Sequence, residues 1–405
     1  MSVAVRNVPA TIQINSNQVK IRILYWHWGR GGAGSKFTYE LAKATAESGV
    51  AKLFVSAVAG HELSELIRGM RPSPPICDIC TFTGRKDTLG GKLAALTGLA
   101  GLPRIGRQFE AFVREHNVEV VVCTMHSIWD LAVLPVLRRM GVPFVLFVHD
   151  ARPHPGDGYP FRETSIRWEI AGADGIVVLS EHVRQQVIRV HGVPTTRIWT
   201  VPHGAFEFGA RSKREAPRGR PARLLFFGRI LEYKGLGLLL DAFRQLLSEG
   251  VAVELEVVGS GDLAPYAAQL RSLQGVFLTN RWVEDWEVGP ALARTDVMVL
   301  PYREASQSGV AAAAASAGMP AIATPVGGLA EQVRDGDTGL VADAVSSDAL
   351  AAAIRRLLEE PGLYSRCSEG ALRYSREELG WQSIARRLIK IAAEVNELRR
   401  SRAPA

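Results

Sequence analysis

Two cations five positions apart follow an apolar run in Leu225-Phe226-Phe227-Gly228-Arg229-Ile230-Leu231-Glu232-Tyr233-Lys234-Gly235. Gly228 and Gly235 keep that backbone tight, and a helix beginning near Gly235 turns its positive end the same way. Arginine offers a forked donor and lysine a point charge, a combination that suits a diphosphate; two solvated loop cations are the alternative. A second anion-facing wall is predicted at Gln307-Ser308-Gly309-Val310. There a Ser/Gly start opens an alanine-rich helix, and the unbonded N–H groups of a helix start favour negative charge. Taken alone, this is equally an ordinary capped helix. Gly29-Arg30-Gly31-Gly32-Ala33-Gly34 fits GxGxxG between a strand and a helix. The dinucleotide form of that motif wants an acidic residue at the end of the next strand, which here reads Ser56-Ala57-Val58-Ala59. NAD is therefore not expected. The glycines mark either a tight turn or a close backbone approach to a phosphate or sugar.

Groups at such positions need strands that end beside them. Short apolar runs predict strands at Ile21–Trp26, Lys52–Val58, Val118–Thr124, Pro143–Val148, Gly175–Leu179 and Ile198–Val201, with a helix over Phe37–Ser48 closed by Gly49. The segment Arg211–Arg223 carries six Arg or Lys, one Glu, two prolines and one glycine, and reads as a solvated linker. Beyond it the pattern restarts, with strands at Leu224–Phe227, Val253–Val258, Asp296–Leu300 and Ala321–Thr324. Helices are expected at Gly235–Ser248, from about Gly309, at Leu350–Leu358 and at Trp381–Arg399. β-Branched runs alternating with helices imply βαβ units and parallel sheets buried on both faces. The expected fold class is α/β, with two doubly wound units over residues 1–210 and 224–375 joined by a linker at 211–223. Ligands of such units bind at the carboxyl ends of the strands, which face the cleft between them.

Composition agrees. The chain has 405 residues, 47% of them hydrophobic and 22% charged, enough for two or three domains with cores of their own, and neither a disordered chain nor a disulfide-stapled miniprotein. Its 48 Lys and Arg against 41 Asp and Glu give a net charge of +7, which favours polyanionic partners without choosing among them. Cys77 and Cys80 form a lone CxxC with no second pair at zinc-ribbon spacing, so the four cysteines are expected as free thiols in a reducing compartment. Met1–Gln18 lacks the charged start and apolar block of a signal peptide. The uncharged run Ala305–Ala330 is long enough to span a bilayer, but its alanines and its two prolines, Pro320 and Pro325, argue against that. The cytoplasm is the expected location.

The segments FGRILEYKG (Phe227–Gly235), VVGSGD (Val257–Asp262), DVMVLPYREASQSGV (Asp296–Val310), GMPAIATPVGGLAEQV (Gly318–Val333) and DGDTGLVAD (Asp335–Asp343) resemble the nucleotide-sugar domain of GT-B glycosyltransferases of family 4. The late Trp381 helix fits as well. The first half resembles them more loosely, at GGAG (Gly31–Gly34), VHD (Val148–Asp150), VVLSE (Val177–Glu181) and VPHG (Val201–Gly204). The resemblance implies two Rossmann-like domains facing a central cleft, with residues 376–405 returning towards the first. It also implies retaining transfer of a sugar from a nucleoside-diphosphate sugar, in bacterial polysaccharide or lipid-linked sugar synthesis. By it, Arg229 and Lys234 hold the donor diphosphate, and the Ser308, Gly309 and Val310 amides meet its phosphates. Gly259 lies near the nucleoside and Trp282-Val283 near the base, and Gly228 is a further donor-binding candidate. Gly31 and Gly32 approach the sugar or its phosphate, and His149 stands next to the reacting sugar. One departure stands out: relatives usually carry two glutamates eight residues apart before the GxP turn. Counted back from Gly318, those slots hold Ala305 and Ala313; Glu304 has Ala312 eight residues on. Glu304 remains a candidate sugar ligand.

No Asp-rich metal motif stands on the donor side, so no metal and no cofactor beyond the sugar nucleotide are expected, the cations doing that work. The expected acceptor is a hydroxyl of a glycan or a lipid-linked sugar. Gly84–Arg114 sets six Lys or Arg and two acids around Leu89, Leu93, Leu96, Leu99 and Leu102. That stretch suits an anionic membrane, placing the protein peripherally on the inner face, and equally a solvated helix pair covering the sheet. Nucleic acid is not expected, because the cations lack interleaved aromatics. Two rival readings are a sugar-nucleotide epimerase of the same architecture and a binding module weakened by the missing glutamates.

Overall fold

A computed structural model describes residues 20–29, 32–80, 101–152, 162–209 and 211–401. Thirteen strands among them form two sheets. The first contains β1 (Ile21–His27), β2 (Ala51–Val58), β3 (Ile76–Ile79), β4 (Val120–Met125), β5 (Phe144–Val148), β6 (Gly175–Val178) and β7 (Ile198–Thr200), in the order β3-β2-β1-β4-β5-β6-β7. The second contains β8 (Ala222–Phe227), β9 (Val253–Gly259), β10 (Val276–Asn280), β11 (Val297–Leu300), β12 (Ala321–Ala323) and β13 (Gly339–Val341), in the order β10-β9-β8-β11-β12-β13. Every ladder is parallel. Strand order reverses beside β1 in one sheet and beside β8 in the other, and that reversal opens a crevice at the carboxyl ends. The β1–β4 register shifts between Trp26 and His27, which turns the last residue of β1 out of step at that crevice.

The sequence explains the layering. Along β1, Ile23 and Tyr25 enter one core and Leu24 and Trp26 the other, so the strand is apolar throughout because both faces are covered. The second sheet likewise separates two cores, with Leu224 and Phe226 on one side and Leu225 on the other. The final helix, Trp381–Arg400, buries Ile384, Leu388, Ile391 and Val395 in the first unit's core, although the helix before it, Leu363–Glu377, packs on the second. Trp381 anchors the crossing: its indole N–H donates to the Ala205 carbonyl at 2.9 Å.

Three expectations are revised. The first helix runs over Ala33–Ser48 rather than from Phe37, which takes Gly34 out of the loop and into the first turn. The basic segment before β8 is largely exposed, but three of its cations, Arg214, Arg220 and Arg223, are engaged. Arg214 is partly buried and donates to the carbonyls of Leu292, Thr295 and Ala317, at the carboxyl ends of two helices where a cation is most favourable. Arg220 grips Asp296 through two bonds of 2.7 Å, and Arg223 pairs with Glu254. Of the basic stretch Gly84–Arg114, residues 84–100 lie outside the described residues. The rest forms the helix Leu102–Glu115, whose Ile105, Phe109 and Val113 are buried in the first core, so this part covers the sheet.

Three short edge strands escaped the sequence reading: β3, β10 and β13. β3 carries Cys77, whose thiol is pushed up to about 11 by burial; it and the exposed Cys80 are free. Among the described residues no helix is long and apolar enough to cross a membrane. The uncharged run instead contributes the helix Gly309–Ser316 and β12.

Candidate active site

The crevice of the second unit is built from backbone meeting backbone. Gly228 directly follows β8 and its amide donates to the Val258 carbonyl, and a Cβ on Gly259 would stand 1.8 Å from the Gly228 oxygen. With φ of +112° and +150°, both positions take conformations that side chains rarely adopt. Gly235 is equally constrained, since a Cβ there would fall 1.8 Å from the Pro301 carbonyl oxygen. These contacts lay the Arg229–Lys234 loop across the end of β11, where the Arg303 amide donates to the Tyr233 carbonyl at 2.7 Å.

Lys234 is held by an aromatic face. Its Nζ stands 3.7 Å from the centre of the Tyr302 ring, a cation–π contact that fixes the charge without neutralising it. The Tyr302 hydroxyl is hydrogen-bonded to Ser308 Oγ at 3.3 Å, which links the lysine to the start of the helix Gly309–Ser316. Ser308 is the N-cap, and its Oγ accepts from the Ala311 N–H. The expectation for the Ser308 amide changes: it donates to Gln332 Oε1 at 2.6 Å, while Gln332 Nε2 returns a bond to the Ser308 carbonyl. At this helix start the amides of Gly309 and Val310 have no hydrogen-bond partner among the described residues. A Cβ on Gly228 would lie 3.9 Å from the Val310 side chain, so both walls meet. Arg229 and Glu304 are exposed beside them, and Val283 is half-buried against the same core.

The first unit faces this wall with histidines. His149 follows β5, and its Nε2–H donates to the Thr124 carbonyl at 2.8 Å, which leaves Nδ1 as the lone-pair nitrogen of the neutral ring. Burial holds its pKa below 6.5, against the opposing pull of the Thr124 bond and the Asp150 charge. Thr124 Oγ1 and Thr38 Oγ1 are bonded at 2.7 Å, and Thr38 reaches His27 Nδ1 at 2.8 Å, tying the three strand ends together. Phe37 packs edge-on against His149 and beside His203. His203 lies beneath Gly309, with a glycine Cβ there falling 3.4 Å from its ring, and burial lowers its pKa to about 4. The sequence reading quoted the VPHG segment but gave this histidine no role. Gly32 faces across the cleft, where a Cβ on it would lie 3.6 Å from the Trp282 ring; Gly31 lies outside the described residues.

Three polar clasps join the units. Lys36 pairs with Asp285 at 2.6 Å while lying over the Phe208 ring. Ser180 Oγ donates to the Ser306 carbonyl at 2.8 Å. The Glu331 carboxylate accepts the Glu181 and His182 amides, both at 2.7 Å, where those residues open a helix of the first unit. These contacts bring Gly228, Lys234, Ser308, Gly309 and Val310 together on one side, and Gly32 and His149 on the other.

Two halves of the chain match known families separately. Residues 32–204 match the glycosyl transferase 4-like domain, and residues 221–360 match glycosyl transferases group 1. A D-inositol 3-phosphate glycosyltransferase from Thermomonospora curvata is 31% identical, over 90% of this chain and 91% of its own. The chain belongs to the group 1 glycosyltransferases. Family membership makes it a transferase rather than an epimerase. A glycogen synthase from Mycobacterium tuberculosis is 26% identical over 81% of this chain and 86% of its own. The fold is GT-B. Anabaena HepE in complex with UDP and glucose aligns over 92% of this chain and all of its own, with a TM-score of 0.69 at 16% identity. Sucrose-phosphate synthase from Thermosynechococcus elongatus aligns over 94%, and all of its own, with a TM-score of 0.72 at 17% identity.

Among the described residues of this glycosyltransferase, one group of side chains lies close enough to hold an ion: His126, Asp130 and Glu169 in the first unit. Their partners are already internal. His126 Nδ1 donates to both Glu169 oxygens at 2.7 and 2.8 Å, and Asp130 accepts from the Trp26 indole and the Ser127 amide. Burial raises both carboxyls well above their ordinary range. The trio is a hydrogen-bonded polar contact at the carboxyl end of β4.

Proposed function

We propose that this glycosyltransferase moves a sugar from a nucleoside-diphosphate sugar to a hydroxyl of a glycan or lipid-linked acceptor, with retention at the anomeric carbon and without a metal ion. The observation that carries the reading is the convergence of Lys234 and the open Gly309 and Val310 amides at the ends of β8 and β11. As the C1–O bond breaks, negative charge builds on the β-phosphate. An ammonium, the Arg229 guanidinium and a helix start are then preorganised around it, doing the work a divalent cation does elsewhere. UDP and glucose in the HepE structure support a sugar nucleotide as donor.

The remaining roles follow from position. Gly228, Gly259 and Val283 line the nucleotide. Gly31 and Gly32 bring backbone close to the sugar, and Glu304 takes one of its hydroxyls. His149, neutral at pH 7, presents the Nδ1 lone pair to another hydroxyl of the reacting sugar. Within a membrane-linked role the protein would sit on the cytoplasmic surface.

The test is a binding and turnover panel of UDP-, GDP-, ADP- and dTDP-sugars, since a tight ligand raises the unfolding temperature by mass action. One nucleotide should stabilise the protein, and Arg229→Ala or Lys234→Ala should lower turnover about a hundredfold or more at saturating donor, with no change on adding EDTA to wild type. Near-wild-type turnover in both variants refutes the diphosphate assignment.

A further inference from the structure

The helix Glu181–His191 of the first unit starts with three amides that have no partner inside the helix, those of Glu181, His182 and Val183. Its own cap serves one of them: Ser180 Oγ accepts from the Val183 N–H at 3.2 Å. The other two are served from the second unit, where each oxygen of the Glu331 carboxylate takes one. A carboxylate at a helix start also meets the positive end of the helix. This helix is therefore capped by both units at once. The same Ser180 hydroxyl donates to the Ser306 carbonyl, and both serines are buried. Glycines let the segments meet: a Cβ on Gly327 would overlap the Ala305 carbonyl oxygen, and one on Gly328 the Ser306 carbonyl oxygen and the Ser180 hydroxyl. Glu331 and Gln332 are neighbours in the short helix Leu329–Gln332, yet they hold different partners. Glu331 holds the first unit's helix start, and Gln332 holds Ser308 by its amide and its carbonyl. Ser308 in turn caps the helix whose Gly309 and Val310 amides are open.

We propose that Glu331 is a positioning residue that sets the two walls of the cleft against each other. It fastens the start of the first unit's helix, and through its neighbour Gln332 that fastening is shared with the start of the donor-side helix. The effect on turnover rests on the donor-site reading above; the link between the two helix starts needs no ligand. Transfer from a donor held by one unit to an acceptor met by the other requires the two in register, and a misplacement of about 1 Å slows a reaction severely. Rotation of the first unit away from the second would strip Glu181 and His182 of their acceptor and part the buried Ser180–Ser306 bond. It would also pull on the segment that holds Ser308. Such a link is reciprocal: if the Glu331 contact steadies the Gln332 contact by some factor, the Gln332 contact steadies the Glu331 contact by the same factor.

Amide hydrogen exchange of the ligand-free protein tests the link. Glu331→Ala should speed exchange at Glu181 and His182, which lose their acceptor, and also by about fivefold at Ser308, although Gln332 is intact. Gln332→Ala should in return speed exchange at Glu181 and His182 by a similar factor, although Glu331 is intact. Changes confined to the amides that each variant unbonds overturn the inference. Kinetics and calorimetry read the consequence. Glu331→Ala should lower kcat about fivefold at saturating donor, while the preferred one of UDP, GDP, ADP and dTDP binds within about twofold of wild type. That affinity is spared because Lys234 and the Gly309 and Val310 amides all belong to the second unit. Glu331→Gln keeps one acceptor oxygen and should recover part of the lost kcat. Unchanged kcat in Glu331→Ala, or equal losses of kcat and nucleotide affinity, overturns the positioning role. If Glu331→Ala fails to fold, Glu331→Gln carries both comparisons, with smaller changes in the same directions. Failure of every nucleoside diphosphate to bind wild type refutes the donor site, and the exchange comparison still decides the link between the units.

Discussion

The two walls of the cleft are made of different material. The second unit's wall is backbone against backbone: Gly259 on Gly228, Gly235 on Pro301, and helix amides left open beside a lysine fixed on a ring. The first unit's wall is built on side chains, with His27, Thr38 and Thr124 linked through their side chains and His149 bonded to the Thr124 carbonyl. The difference teaches what each wall recognises. A diphosphate has one shape and one charge, so it can be met by a fixed backbone cradle. Sugars and acceptors vary in their hydroxyls, and exchangeable side chains on a common scaffold meet that variation.

The contrast breaks most sharply at Gly259. In Gly259→Ala the added Cβ cannot coexist with the Gly228 oxygen 1.8 Å away, and φ of +150° is strained for any side chain. The expected loss is about 3 kcal/mol of stability, the sum of overpacking and backbone strain, together with nucleotide binding too weak to measure. Chemical denaturation and calorimetry read both. A stable variant that still binds nucleotide would show that the cradle is not rigid. Next in size is His149→Asn on the opposite wall, which should lower turnover about tenfold while leaving the affinity for free nucleoside diphosphate unchanged. Equal losses in both would place His149 on the nucleotide instead.

Acid distinguishes the walls again. His203 is held to about 4 in the folded protein against an ordinary 6.5, so below 6.5 the unfolded chain takes up a proton that the folded one refuses. Stability is fully present above 6.5 and falls as pH drops from there towards about 4, with a limiting slope of about 1.4 kcal/mol per pH unit. His149, lowered in the same direction, adds to it. His203→Asn should start less stable at pH 7 yet lose less between pH 6.5 and 4.5. A slope identical to that of wild type would rule the imidazole out as the source.

The same contrast explains what could be read from sequence. Gly228, Arg229 and Lys234 stand close together in the chain, the Ser308 cap stands beside its own helix, and the geometry of each group is local: a strand end, a tight turn and a helix start. Strand pattern was equally readable where both faces are buried, as in β1 and β5. What depended on distant partners was not. Gln332 takes the Ser308 amide from 24 residues away, and nothing in SQSGV announces it. Arg214 looks like any linker cation until three helix-end carbonyls gather round it. His203 acquires a role only when Phe37 and Gly309 close over it from opposite units. β3 and β10 are short edge strands, and edges carry too little apolar pattern to stand out.

The smallest effect tests how the walls are held together. Lys36 reaches from the first unit to Asp285 on the second, and its side chain is 20% exposed against 70% for the aspartate. Such a pair contributes between nothing and about 1 kcal/mol, because water competes for the carboxylate and salt screens the attraction. The Lys36 ammonium also lies 4.0 Å from the centre of the Phe208 ring, a contact that does not depend on the pair. Lys36→Met keeps the stem and removes the charge. It should raise the donor KM by less than about threefold at low salt and match wild type at about 1 M, where screening has already removed what the substitution removes. An effect that persists at high salt would mean that the ammonium acts through the Phe208 ring or on the bound sugar nucleotide rather than through Asp285. The first wall would then contribute a charge of its own to the donor, and the division between a charged cradle and a neutral partner would no longer hold.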